Sequence, residues 1–147
     1  MRNFIVSNIK QTYKLARRFS CILSNHDIVG FCGRLGSGKT TFIKVVAECF
    51  GIPKNNIISG SFVILNQYQA KFPIYHVDLY RLNSSQIPDE IYEIISDKNG
   101  LVLIEWADRL SIPSEYFKVQ LDFLSLNSRK ITIDADGNNL KKRLNKI

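Results

Sequence analysis

Cysteine is scarce in this chain: three residues, Cys21, Cys32 and Cys49, widely spaced, with no CxxC pair. An odd count excludes complete internal pairing and points to reduced, buried thiols in a cytoplasmic protein. His26 and His76 lack Cys or His neighbours at zinc-ligand spacing, which argues against a zinc site. No apolar run is long enough to span a membrane. The N-terminal stretch MRNFIVSNIKQ has no continuous apolar segment after its first basic residue, as a secretory signal would require. Repeats, low-complexity tracts and linkers are also lacking, so the 147 residues are expected to form a single domain, 1–147, around one core.

Acidic residues are in the minority, 13 against 20 Lys and Arg, for a net charge of +7. Lys10, Lys14, Arg17 and Arg18 form one basic cluster, and Lys141, Lys142, Arg143 and Lys146 another. Each reads first as a solvated helix face or a frayed tail. A weak attraction to RNA or an acidic partner is the second reading.

What the chain does have is an alternation of short apolar runs with helical patterns. A helix is expected over Ile9–Leu23, with Leu15, Phe19, Ile22 and Leu23 on its apolar stripe and Ser7 or Asn8 at its cap. IVGFC (28–32) and LVLIE (101–105) read as buried parallel strands. Phe42, Val45, Val46, Cys49 and Phe50 recur at helical spacing until Gly51 and Pro53 stop the pattern. SFVILNQYQ, from Ser61, and FPIYHVDLY (72–80) read as strands; in the first, Phe62, Ile64 and Asn66 share a face. A short helix is expected from Pro88 to Gly100, with Asp89 and Glu90 in its first turn. VQLDF and KITIDAD read as an antiparallel pair. The expected fold is α/β, a sandwich with a mixed, largely parallel sheet.

Between the strand at 28–32 and the following helix lies Gly33-Arg34-Leu35-Gly36-Ser37-Gly38-Lys39-Thr40-Thr41, which satisfies GxxxxGK[ST] in its required strand–loop–helix context. The composition has a physical reason. Backbone N–H groups must converge on phosphate oxygens, side chains would block that approach, and some loop residues need positive φ. The helix N-terminus adds partial positive charge. Lys39 supplies a full charge to the β- and γ-phosphates, the Thr40 hydroxyl suits Mg²⁺, and Thr41 can bond the α-phosphate. A glycine-rich turn that only joined strand to helix would need neither the lysine nor the paired threonines.

Two carboxylates are candidates for the metal and the attacking water. Glu105 ends LVLIE, and Asp78 lies in YHVDLYRL; each follows an apolar run that would deliver it to the carboxyl edge of the sheet beside the loop. Glu105 is expected to hold Mg²⁺ or orient the water. Asp78 is expected to hold the metal's water shell or accept a hydrogen bond from Thr40. The alternative is that either caps a loop or pairs with Arg81 or Arg109. Ser61 offers a hydroxyl suited to a switch loop or to a plain turn. His76 shares strand parity with Asp78, but a satisfied core histidine is the commoner reading. Trp106 and Tyr80 could line the site or pack in the core.

GRLGSGKTTF, SGSFVIL, YHVDLYRL and LVLIEW, in this order, resemble the bacterial TsaE (YjeE) family, the small ATPase of tRNA threonylcarbamoyladenosine modification. The likeness runs from the helix before the loop to Trp106 and weakens in the final third. It implies an α/β three-layer sandwich of the P-loop NTPase type, with ATP and Mg²⁺ bound at Lys39 and Thr40 and with Asp78 and Glu105 needed for hydrolysis. It implies TsaB and TsaD as partners and contact with tRNA that is indirect or weak. The ATPase would reset the complex between turnovers, while TsaD transfers the threonylcarbamoyl group. Three positions depart from the family pattern: Arg34 stands where Asp is usual, Gly60 where Pro is usual, and Ala107 where Pro often follows the strand. Competing readings are a small-molecule P-loop kinase, a GTPase and a nucleotide-binding module with little hydrolysis. No compact Arg-bearing lid supports the first, and the NKxD of guanine-specific GTPases has only Asn145-Lys146-Ile147 as its nearest counterpart. The presence of both carboxylates argues against the last.

Overall fold

The structure, a computed structural model, describes residues 1–58, 63–97 and 99–147. Its strands are β1 (Arg2–Val6), β2 (Ile28–Cys32), β3 (Leu65–Gln69), β4 (Pro73–Asp78), β5 (Leu101–Glu105), β6 (Phe117–Phe123) and β7 (Arg129–Ala135). Its helices are α1 (Ile9–Ser20), α2 (Lys39–Cys49), α3 (Asp89–Asp97) and α4 (Asn138–Leu144). The strands form one seven-stranded sheet in the order β1-β7-β6-β2-β5-β4-β3. Its centre is parallel: β2 lies between β6 and β5, and β5 pairs with β4. The edges are antiparallel, through β1–β7, β6–β7 and β3–β4. This is the expected mixed α/β architecture.

The central strands are covered on both faces, which is why β2 and β5 are apolar without alternation and wholly buried. On one face, Phe19 of α1 and Phe42 of α2 pack edge-on with centroids 6.0 Å apart, over Phe31, Val119 and Leu103. Leu140, Leu144 and Ile147 close the same core. On the other face Ile91 and Ile95 of α3 pack with Val77, Val102 and Ile104.

Local sequence sets the boundaries. Asn8 caps α1, accepting from the Gln11 N–H at 3.0 Å, while the Gln11 side chain accepts from the Ser7 N–H at 2.7 Å. The helix stops at Ser20 rather than Leu23, because Ile22 and Leu23 bond back to Phe19 and Ser20 in a tighter three-residue pattern. Strand β3 is shorter than SFVILNQYQ suggests, beginning at Leu65. Residues 59–62, and with them the Ser61 expectation, lie outside the described residues.

Two expectations need correction. Only Cys32 is a buried thiol, its pKa pushed up chiefly by burial; Cys21 and Cys49 sit on the exposed ends of α1 and α2. The basic tail is not frayed. It forms α4, whose apolar side docks while Arg143 reaches the turn after α1. There Arg143 Nε donates to the Ile22 carbonyl at 2.9 Å, and its guanidinium forks onto the buried Asp27 carboxylate, with Nη1 2.9 Å from Oδ1. Removing one partner of a buried pair leaves the other charge uncompensated. Arg143→Ala is therefore expected to cost roughly 3 kcal/mol of stability in a denaturant titration; an unchanged midpoint would show that the pair does not hold α4.

Candidate functional site

The carboxyl ends of β2, β5 and β4 meet at one edge of the sheet. Parallel register places Phe31 beside Glu105 and Glu105 beside Asp78. The loop 33–38 leaves β2 there and turns into α2. Its glycines take backbone angles that L side chains avoid: φ is +140° at Gly33, +75° at Gly36 and +106° at Gly38. Gly33 also has no room, since a Cβ would lie 2.4 Å from the Leu121 carbonyl oxygen. Gly38 ends the loop as the N-cap of α2 without a side-chain cap bond, so the first N–H groups of the helix face the cleft rather than a neighbouring side chain.

Lys39 is buried, at 4% exposure. Its Nζ donates to the Gly33 and Arg34 carbonyls at 2.9 and 3.1 Å and lies 3.8 Å from the centre of the Trp106 ring. Burial lowers its pKa, against the opposing pull of Glu105, Asp78 and Asp108. Glu105, 3% exposed, accepts from the Thr40 hydroxyl at 2.8 and 2.9 Å through its two oxygens, and its Oε1 lies 3.0 Å from His76 Nε2. Asp78 is oriented by the Tyr80 N–H, which donates to Oδ1 at 3.0 Å. Thr40's hydroxyl is thus given to Glu105 and not to Asp78, whose Oδ1 makes the loop-capping contact that was the alternative to its two expected roles.

These residues line a cleft of about 340 Å³ with Leu35, Thr41, Tyr80 and Trp106. Tyr80 and Trp106 stack over its rim, 5.2 Å between centroids. Trp106 itself is left-handed, φ +60°, a strained conformation for a bulky residue. Arg109 stabilises the loop 79–82 from within, its Nη1 donating to the Leu79 and Leu82 carbonyls at 2.9 and 3.0 Å, and it stacks 5.0 Å from Trp106. It braces the rim and neither pairs with the carboxylates nor forms a lid. Arg34 contributes its carbonyl to Lys39, while its exposed side chain borders a hollow with Asp122 and Phe123.

Across Gly36, Gly38 and Thr41 a second hollow of about 480 Å³ opens. Its far wall comes from Asn8 and Thr12 at the start of α1 and from Asn127 and Arg129 of the β6–β7 hairpin. Arg129 ties the hairpin to the loop: its Nε donates to the Ser37 carbonyl at 3.3 Å and its Nη1 to the Ser125 and Ser128 carbonyls at 3.0 Å. Sequence reasoning missed this wall, because its members lie far apart in the chain and no motif links them.

The donor set fits a triphosphate with a hard cation. The cradle excludes a Cβ at Gly33, the ammonium of Lys39 lies at its edge, and Ser37 Oγ is buried without a hydrogen-bond partner among the described residues. Thr40 and Glu105 supply the oxygens that Mg²⁺ prefers. Gly33→Ala is expected to lower stability by roughly 1–3 kcal/mol through backbone strain and to weaken nucleotide binding. Equal denaturation midpoints and equal calorimetric affinities for the two proteins would contradict this account of the loop.

Three comparisons bear on this geometry. The family model described as "Threonylcarbamoyl adenosine biosynthesis protein TsaE" matches residues 6–131. A protein of Rickettsia felis called "tRNA threonylcarbamoyladenosine biosynthesis protein TsaE" is 39% identical over 135 residues, 88% of this chain and 77% of that one. Its namesake from Aquifex aeolicus is 31% identical, covering 90% of this chain and 96% of its own. The crystal structure of YdiB from Bacillus subtilis superposes with a TM-score of 0.77 at 27% identity, over 99% of this chain and 92% of that one. With its strand–loop–helix cradle and Glu105 at the neighbouring strand end, the chain belongs to the TsaE family.

Proposed function

We propose that the protein is the Mg²⁺-dependent ATPase of the machinery that installs threonylcarbamoyl on the adenosine next to the tRNA anticodon. The observation that carries this reading is the contact between Thr40 and Glu105. It joins the first turn of α2 to the end of β5, and so brings a metal-seeking hydroxyl and a carboxylate together at a phosphate cradle. ATP would supply the bond to be cleaved, and Mg²⁺ would offset charge on its phosphates. Lys39 exchanges its carbonyl partners for phosphate oxygens and offsets their charge. Thr40 and Glu105 would hold the metal, Glu105 would also orient the attacking water, and Asp78 would hold the metal's water shell. The loop amides of 33–38 and Thr41 fix the phosphates, and the second hollow has the size and polar wall to take the nucleoside end.

The family supports a place in tRNA threonylcarbamoyladenosine biosynthesis; for the setting we propose TsaB and TsaD as partners, tRNA reached indirectly or weakly, and a role in resetting the transferase complex between turnovers. No helix among the described residues is long and apolar enough to cross a membrane, and we place the work in the cytoplasm, where tRNA is modified. Arg109 disfavours a kinase reading, because its Nη1 is committed to the backbone carbonyls of the loop 79–82 instead of a transferring phosphoryl group.

Turnover should be low for the chain alone, ATP-selective over GTP, and stimulated by the TsaB–TsaD pair. Bound ATP with no stimulation by intact partners would overturn the resetting role. Lys39→Ala is expected to weaken ATP binding by about 100-fold, since charge-assisted bonds to phosphate are lost. Glu105→Ala and Asp78→Ala are expected to leave affinity within a few-fold and lower kcat by roughly 100-fold or more. Turnover unchanged in either carboxylate variant would remove that residue from the chemistry.

A further inference from the structure

His76 lies on the sheet face that carries Ile74 on its own strand and Leu101 and Leu103 on β5, all fully buried. An apolar side chain would suit that position. Instead the imidazole is 1% exposed, and its Nδ1 is buried without a hydrogen-bond partner among the described residues. Among the described residues its one polar contact is Nε2 to Glu105 Oε1 at 3.0 Å. A carboxylate only accepts, so Nε2 carries the hydrogen in this contact, while Nδ1 meets no partner among the described residues. A half-satisfied imidazole in an apolar layer is unfavourable by itself, and what it achieves here is to fix one oxygen of Glu105.

The second contact of Glu105 explains why that matters. Thr40 has one hydroxyl proton, and it is shared between the two carboxylate oxygens at 2.8 and 2.9 Å. On the reading above, on which this inference rests, Thr40 turns its oxygen to the metal. Its bond to Glu105 is then weakened, and a glutamate at a strand end has several rotamers open to it. We propose that His76 is a positioning residue: through Nε2–H it holds Oε1 of Glu105 in place when Thr40 is engaged elsewhere, leaving Oε2 to face the cleft. The position is encoded by register. His76 and Asp78 alternate on β4 so that Asp78 pairs with Glu105, while His76 lies one pleat deeper behind it.

Four measurements test this on the full chain with its partner proteins. Long-range ¹H–¹⁵N spectra of the wild-type imidazole should show Nε2 protonated and Nδ1 bare; the opposite tautomer overturns the proposal. His76→Leu should lower kcat by roughly 10- to 100-fold, as loss of a supporting contact does, with ATP affinity and melting temperature near wild type. His76→Gln, whose amide N–H can reach the same oxygen, should recover most of that rate. In a Glu105→Gln background His76→Leu should add little, because the two act as one unit. A His76→Leu protein with wild-type kcat, one whose loss follows its affinity or stability, or a folded His76→Gln as impaired as the leucine variant would each overturn it. Should the leucine variant not fold, the tautomer and the glutamine variant decide. A wild-type protein without ATP turnover overturns the ATPase reading instead. Failure of the positioning role alone shows as normal wild-type turnover that the substitutions leave untouched.

Discussion

A buried carboxylate must find partners or lose its charge, and Glu105 has found them on two other elements. Thr40 approaches from the first turn of α2 and His76 from β4. This one group therefore connects the helix that follows the phosphate loop to β5 and to β4 beside it. The connection is possible only because β2, β5 and β4 run parallel and end level, so that their last residues share one edge. The antiparallel strands at the margins enlarge the core and supply one wall of the second hollow, but they do not set this geometry.

The cradle is a second constraint, and it is steric. Gly33 passes so close to the β6 backbone that no side chain can be fitted, and Arg129 of β7 fastens the other end of the loop to the same hairpin. The loop is thus held at both ends while its amides stay available. Lys39 is buried within the same cluster, with carbonyl and indole partners that phosphate oxygens can outbid by carrying full charge. Trp106, in a left-handed conformation immediately after Glu105, covers that ammonium. The residue that ends the strand and the residue that senses the lysine are therefore neighbours in sequence.

How far the sequence reveals this depends on the range of each interaction. The phosphate loop is local, and its glycine spacing, lysine and threonines could be read directly. The strands at 28–32 and 101–105 were legible because both faces are buried, which makes them uniformly apolar. Glu105 and Asp78 were picked out as candidates by the rule that functional groups follow such strands, and both line the cleft. Their mutual register, and the partner each one holds, are properties of strand pairing that no local pattern encodes; the Thr40 contact went to Glu105 rather than Asp78 for that reason. His76 carried only its strand parity as a signal. The first strand, RNFIV, was missed because it is an edge strand with alternating exposure. The tail was misread because its charges hide the spacing of Leu140, Leu144 and Ile147, which dock in the core.

The claim on which the rest depends is that phosphates displace Lys39 from its carbonyls in this cleft. Trp106 is the only tryptophan of the chain and lies 3.8 Å from the ammonium, so its fluorescence reports the event directly. Titration with ATP in the presence of Mg²⁺ should give a saturable change in emission, at the same midpoint that calorimetry gives for binding. Calorimetric binding of ATP with no change in Trp106 emission would contradict the account and place the nucleotide elsewhere.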